Sequence, residues 1–273
     1  MRRLFTAPLV GVLCLAASPV LAGEWENDFG GMPYYTGQIL PTPQEVTYAD
    51  EFASLDDAAL LLGESIDEDD ARVNVLRHRV REMGGSLTLV SSLDEGEEYE
   101  TIIAVGDVPA MESTPSVPDR PEGYIIAPQQ QDNGRTVILL QGHDQQGLLW
   151  AVSSFNQLVT RKEQGAVVQL AEVYDYPAST AKRGYNSSRG WSVGQFEDEA
   201  WYVVHFKINA VNERRFRQRH TPGYWRSHQP DDVYEAIERA GELLSPLGIT
   251  WYDGYRPVWN RDGEAQFRAS SDE

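Results

Sequence analysis

The chain has 273 residues, 42 acids against 23 bases and a net charge of −19. That balance excludes a general nucleic-acid or anionic-membrane role, because those partners require a basic footprint. A hydrophobic fraction of 41% is that of a globular protein. Lysine is scarce: only Lys162, Lys182 and Lys207 occur, the other bases being arginine.

The first element in chain order is a secretory signal. Arg2 and Arg3 precede the apolar stretch 4–20, and Val20-Leu21-Ala22 supplies small residues for cleavage before Gly23. Pro8, Gly11 and Pro19 interrupt the stretch, which argues against a spanning helix of ~20 apolar residues. The single cysteine, Cys14, lies inside it. The mature chain is therefore expected to lack disulfides and cysteine-based metal sites, to be secreted or periplasmic, and to carry no transmembrane segment. Roughly 250 residues remain, enough for one large domain or two ordinary ones.

Residues 23–37 form a polar, Gly- and aromatic-rich arm. A strand over 44–48 then follows Pro41-Thr42-Pro43. A helix is predicted over 67–83, with Ser65 and Glu68 as a capping box, Val73, Leu76, Val80 and Met83 as its apolar stripe, and Gly84-Gly85 as its stop. Short β-branched runs at 86–91, 100–105, 123–127 and 136–141 read as strands, and the prolines of 113–121 mark a loop. A second helix over 144–161 would bury Leu148, Ala151, Val152, Phe155, Leu158 and Val159, before a strand at 166–174. Beyond Pro177 the pattern becomes βαβαβ, with strands at 183–185, 208–212 and 249–252 and helices at 197–206 and 231–244. Such alternation implies a parallel sheet with right-handed crossovers.

Two stretches carry a family resemblance. Gly142-His143-Asp144-Gln145-Gln146-Gly147, running on to Leu158, resembles the helix of the small α/β domain that precedes the barrel in family 20 β-N-acetylhexosaminidases; family 84 glycoside hydrolases and α-glucuronidases carry similar domains. Asp175-Tyr176-Pro177, then Arg183-Gly184, then Lys207-Ile208-Asn209, looks like the opening of the catalytic (β/α)8 barrel of these enzymes, and Pro41-Thr42-Pro43-Gln44-Glu45-Val46 is similar to their usual start. The fold implied is an α+β N-terminal domain, a mixed sheet with two helices over 38–177, followed over 178–273 by the first βαβαβ part of an incomplete (β/α)8 barrel.

The resemblance implies a carbohydrate partner, an N-acetylhexosamine-containing glycan, and no cofactor. Arg183 matches a barrel-opening arginine that grips sugar hydroxyls, as a guanidinium fork can. Glu213 and Asp253, which follow the second and third predicted barrel strands, are further substrate-binding candidates, while Lys207 and Asn209 read as a helix end and a strand start. The family's catalytic Asp-Glu pair sits after a fourth strand, where one carboxylate orients the substrate's acetamido group and the other protonates the leaving oxygen, a departure from the two-carboxylate scheme. No catalytic residue is assigned here: the terminal Asp272-Glu273 follows no apolar strand, so the coding sequence is expected to continue and this chain alone to be inactive. A non-catalytic sugar-binding module is the alternative. An α-glucuronidase-like relative is a third reading, suggested by the arginines and aromatics of 213–228. His205, His220 and His228 lack metal-ligand spacing.

The cleavage signal yields the first test. Expressed in a bacterium with its export system, the mature protein should begin Gly23-Glu24-Trp25; N-terminal sequencing that finds Met1 on a soluble product would contradict it.

Overall fold

Five consecutive residues, Thr101–Val105, are buried without exception. A strand can hide both faces only when each is covered, as at the centre of a sheet with parallel neighbours. The computed structural model describes residues 38–108, 115–179, 183–187, 201–213, 242–253, 258–259 and 265–266. All of them fall within one compact unit, Tyr34–Glu273.

The elements are β1 (Glu45–Ser54), β2 (Ala58–Leu62), α1 (Ala71–Glu82), β3 (Leu87–Val90), β4 (Thr101–Val105), β5 (Tyr124–Gln130), β6 (Thr136–Gly142), α2 (Gln145–Leu158), β7 (Val159–Lys162) and β8 (Gly165–Asp175). They form one eight-stranded sheet of order β1-β8-β5-β6-β4-β2-β3, with β7 paired to β8. The β6-β4-β2-β3 half is parallel, and β5, β8, β1 and β7 pair antiparallel. This is the expected α+β domain with a mixed sheet and two helices.

Alternation sorts the side chains into two cores. Leu60, Ile103, Val105, Ile138 and Leu140 join Leu76, Val80, Trp150 and Phe155 of the helices on one face. Leu61, Ile102, Ala104, Val137 and Leu139 form the other core, backed by Leu93, Tyr99, Val108 and Val117 of the loops. Each such aliphatic side chain contributes about 1.5–3 kcal/mol by leaving water.

Two helix boundaries are corrected and one strand is added. Helix α1 starts later than the Ser65–Glu68 box implied: Asp70 is its N-cap and accepts from the Arg72 amide at 2.8 Å. Glu68 pairs instead with Arg77 at 3.1 Å. Strand β2 was missed because Ala58-Ala59-Leu60-Leu61-Leu62 carries no β-branched residue. Helix α2 ends at Leu158, and the β-branched Val159 and Thr160 begin a hairpin with β8. That hairpin needs Gly165, whose φ is +115° and whose hydrogen faces the Asp56 carboxylate, itself accepting from the Ala166 amide at 2.7 Å.

Beyond β8 lie β9 (Gly184–Ser187), β10 (Ala210–Glu213), β11 (Thr250–Asp253), and the short β12 (Val258–Trp259) and β13 (Ala265–Gln266), which pair with each other. Strands β9, β10 and β11 form a parallel sheet in chain order, as the βαβαβ reading required. Residues 201–205 are helical, as are 242–244 ahead of a 3-10 turn at Ser245–Leu247. The first core extends to Val203, Val204, Val211, Leu244, Leu247 and Ile249, so this sheet shares the apolar interior that covers the helices of the larger one. His78 of α1 stacks on Trp201 at 3.9 Å. The expected signal segment and 23–37 arm, the arginine-rich stretch 214–228 and Asp272-Glu273 lie outside the described residues. No helix among the described residues is long and apolar enough to cross a membrane.

The N-terminal turn of α2 lies against residues 122–123, and a Cβ at Gly147 would sit 2.3 Å from the Gly123 carbonyl oxygen. Gly147→Ala should therefore cost about 1–3 kcal/mol through overpacking. Equilibrium urea unfolding would measure it, and an unchanged midpoint would refute the close approach.

Candidate functional site

Lys207 and Glu122 are the only non-glycine residues with positive φ among the described residues, at 56° and 62°. Left-handed backbone of this kind costs about 1–3 kcal/mol and clusters where surrounding structure over-determines it. Both belong to one polar network.

Glu122 is held by its neighbours. Its amide donates to Asp144 Oδ2 at 2.9 Å, while Asp144 Oδ1 caps α2 by accepting from the Gly147 amide at 2.7 Å. The His143 amide donates to the Gly123 carbonyl at 2.8 Å. So fixed, the Glu122 carboxylate accepts from Trp150 Nε1 of α2 at 2.7 Å and from the Arg183 guanidinium through the same oxygen, Oε2. The Arg183 guanidinium carbon lies 5.4 Å from the centre of the Trp150 ring.

Lys207 completes the network. The ammonium donates to the Tyr124 hydroxyl at 2.6 Å and lies 3.4 Å from Asp175 Oδ2. Tyr124 donates to the same Asp175 oxygen at 2.8 Å, and its hydroxyl is 2.7 Å from Ser154 Oγ. Two acids thus face two bases, with Tyr124 and Trp150 at 1% and 2% exposure between them. Burial pushes the Lys207 amine down to about 8, helped by nearby Arg183 and opposed by Asp175. Burial, then the Asp175 carboxylate, pushes the Tyr124 phenol well up.

Arg183 and Asn209 together join the heads of the three parallel strands. The Arg183 amide donates to Asn209 Oδ1 at 2.6 Å, the Asn209 amide returns a bond to the Arg183 carbonyl at 3.2 Å, and the Thr250 amide donates to the Asn209 carbonyl at 3.0 Å. The remaining guanidinium donors of Arg183 reach the Lys207 carbonyl at 3.1 Å and the Ser179 carbonyl at 3.4 Å. Arg183 therefore precedes the N-terminal end of β9, and its fork is occupied by protein acceptors. The resemblance assigns Arg183 to sugar hydroxyls; in the structure its guanidinium spans the two sheets, from Glu122 to the Lys207 carbonyl. Lys207 and Asn209 lie at a helix end and a strand start, as expected.

The other two candidates lie at the opposite end. Glu213 ends β10 and Asp253 ends β11; they are register partners, and Glu213 is also paired with Ser187, the last residue of β9. Three polar residues thus form one row across the C-terminal edge of a parallel sheet, roughly 4.8 Å from strand to strand. That edge, not the N-terminal one, is where α/β folds present ligand-binding groups. Ser187 went unnoticed in the sequence because serine in a short strand carries no chemical signal of its own. Glu122 and Trp150 were missed because their significance rests on a contact across 28 residues.

With this geometry in place, comparison with known proteins identifies the architecture. Residues 36–176 match the family model of glycosyl hydrolase family 20, domain 2, just over half of the chain. The chain belongs to glycosyl hydrolase family 20. No curated protein matches the sequence. Among solved structures, the family 20 exo-β-N-acetylglucosaminidase of Vibrio harveyi, determined in complex with N-acetylglucosamine, superposes with a TM-score of 0.54 at 15% identity, over 78% of this chain and 35% of its own. The β-N-acetylhexosaminidase of Bacteroides fragilis NCTC 9343 gives 0.52 at 17% identity, over 78% and 44%. CpGH84D gives 0.55 at 18% identity, over 78% and 37%. At these identities the likeness shows the fold, and the family 20 chain described here spans less than half the length of each structure.

The low pKa of Lys207 predicts how stability depends on pH. Below about 8 the amine is charged in both folded and unfolded states, and the folded state carries the burial cost. Between about 8 and its ordinary value of 10.5 the unfolded state binds more protons, so stability rises with pH in this window, by about 3 kcal/mol in all. Lys207→Met removes that rise. Urea unfolding of both proteins across the window should give a stability difference that shifts toward the wild type as pH increases; a difference independent of pH would contradict the assignment.

Proposed function

We propose that this family 20 chain is the N-terminal portion of a β-N-acetylhexosaminidase-type glycoside hydrolase acting on N-acetylhexosamine-containing glycans. In this reading the parallel β9-β10-β11 sheet is the opening of a (β/α)8 barrel, with a domain boundary near Pro177, and the protein is exported after loss of residues 1–22. The observation that carries it is the run of domain 2 into three in-register parallel strands whose C-terminal ends hold Ser187, Glu213 and Asp253. Further support comes from the extent of the structural likeness, which covers 78% of the chain and so passes beyond the residues of domain 2. The Vibrio harveyi relative was solved with N-acetylglucosamine, which makes that sugar the first ligand to test.

Glu213 and Asp253 are assigned to sugar hydroxyls, which carboxylates bind through charge-assisted hydrogen bonds. Bond cleavage is assigned to carboxylates on a further strand, so residues 1–273 alone are expected to leave a chromogenic N-acetylglucosaminide intact. Titration of N-acetylglucosamine, followed by amide chemical shifts, should perturb residues 187, 213 and 253. Glu213→Gln and Asp253→Asn should each weaken binding by about 1.5–3 kcal/mol, the loss of a hydrogen bond to a charged group. Affinity equal to wild type in both variants would remove the assignment, and turnover of the chromogenic substrate would overturn the expectation of inactivity.

A further inference from the structure

We propose that Glu122, which belongs to domain 2 and lies at the far end of the parallel sheet from its C-terminal edge, is a positioning residue for the row Ser187-Glu213-Asp253. The functional meaning of that row rests on the reading above; the mechanical claim does not.

The path is continuous. The Glu122 carboxylate, oriented by the Asp144 cap and by Trp150 Nε1, fixes the Arg183 guanidinium. Arg183 and Asn209 exchange two hydrogen bonds, at 2.6 and 3.2 Å, which sets β9 against β10. The Asn209 carbonyl accepts from the Thr250 amide at 3.0 Å, which sets β10 against β11. From these heads the pairings Ala210 with Gly184 and with Thr250 run without a shift to Glu213 with Ser187 and with Asp253. Each strand is four residues long, so a slip at the head moves the whole row. Slippage by one residue would replace Glu213 with Asn212 opposite Ser187.

Two features distinguish this from ordinary domain packing. The chain adopts left-handed backbone at both Glu122 and Lys207, the residues that supply the carboxylate and the carbonyl to which Arg183 is tied. The Arg183 fork also has acceptors from both sides of the junction, Glu122 before it and Lys207 after it, so it cannot follow one side without losing the other. Lys207 is in turn tied to Tyr124 and Asp175 of domain 2, which gives a second bond line in parallel with the first.

Amide hydrogen exchange on the full chain tests the proposal without any sugar. Glu122→Ala should raise exchange in β9, β10 and β11, including residues 187, 213 and 253, by at least about tenfold, as loss of a bond between charged groups implies. Amides of β2, β4 and β6 should change no more than in Ile103→Val, which lowers stability while leaving the clasp intact. Arg183→Met should give the same distribution, and the double variant should add nothing to either single one. Glu122→Gln, which keeps an acceptor for Trp150 and loses the charge, should give a smaller effect of the same distribution and serves if the alanine variant fails to fold. Rises spread evenly over all strands, or additive effects in the double variant, would overturn the proposal. In the wild type, N-acetylglucosamine that fails to perturb residues 213 and 253 would remove the sugar reading while leaving the exchange result to stand or fall by itself.

Discussion

Two cation–carboxylate contacts, Glu122 with Arg183 and Asp175 with Lys207, link the mixed sheet to the parallel one, and they orient the heads of the described strands β9 and β10. Charges about 4 Å apart near a protein surface attract by ~4 kcal/mol, but stripping water from them costs several kcal/mol per ion. Lys207 shows which effect wins at this site. Its amine is held near 8 despite the Asp175 carboxylate at 3.4 Å, so burial outweighs attraction. The Lys207–Asp175 contact is therefore a poor contributor to net stability and a good determinant of geometry, because a wrong docking would leave the same charges buried without partners.

Apolar packing supplies what the clasp does not. One core runs from the helix-covered face of the large sheet to Val203, Val204, Val211, Leu244, Leu247 and Ile249. The other stays local to β2, β3, β4, β5 and β6 and is closed by loops. The strand heads are thus seated on an interior that is non-directional, and the charged groups select one orientation among those that the apolar contact allows. Gln157 adds to that choice by donating to both the Leu40 and His205 carbonyls at 2.7 Å, pinning the incoming chain and the 201–205 helix to α2.

Much of the large sheet was legible in the sequence because its elements are local. The stripe Val73, Leu76, Val80 and the stop at Gly84 define α1 over one stretch of chain, and the runs at β4, β5 and β6 are β-branched and bounded by turns. Strand β2 was not legible, since an Ala-Leu run becomes a strand only when β3 and β4 lie on either side of it. The helix–strand junction at Val159 was hidden for a similar reason: the apolar period continues past Leu158, and only pairing with β8 decides where it ends. The row Glu213-Asp253 could be anticipated because strand order and strand ends are pattern features. The role of Arg183 could not. Its residue type fits a sugar hydroxyl and a buried carboxylate equally well, and the carboxylate it meets, Glu122, is sixty-one residues away.

The lysine-poor composition turns the buried ammonium of the clasp into a built-in reporter. Lys207 is 6% exposed and is one of three lysines in the chain. An amine-directed reagent can reach it only when the two sheets part, so acylation at this position counts openings of the junction, against Lys162 on the β7 hairpin as an internal standard.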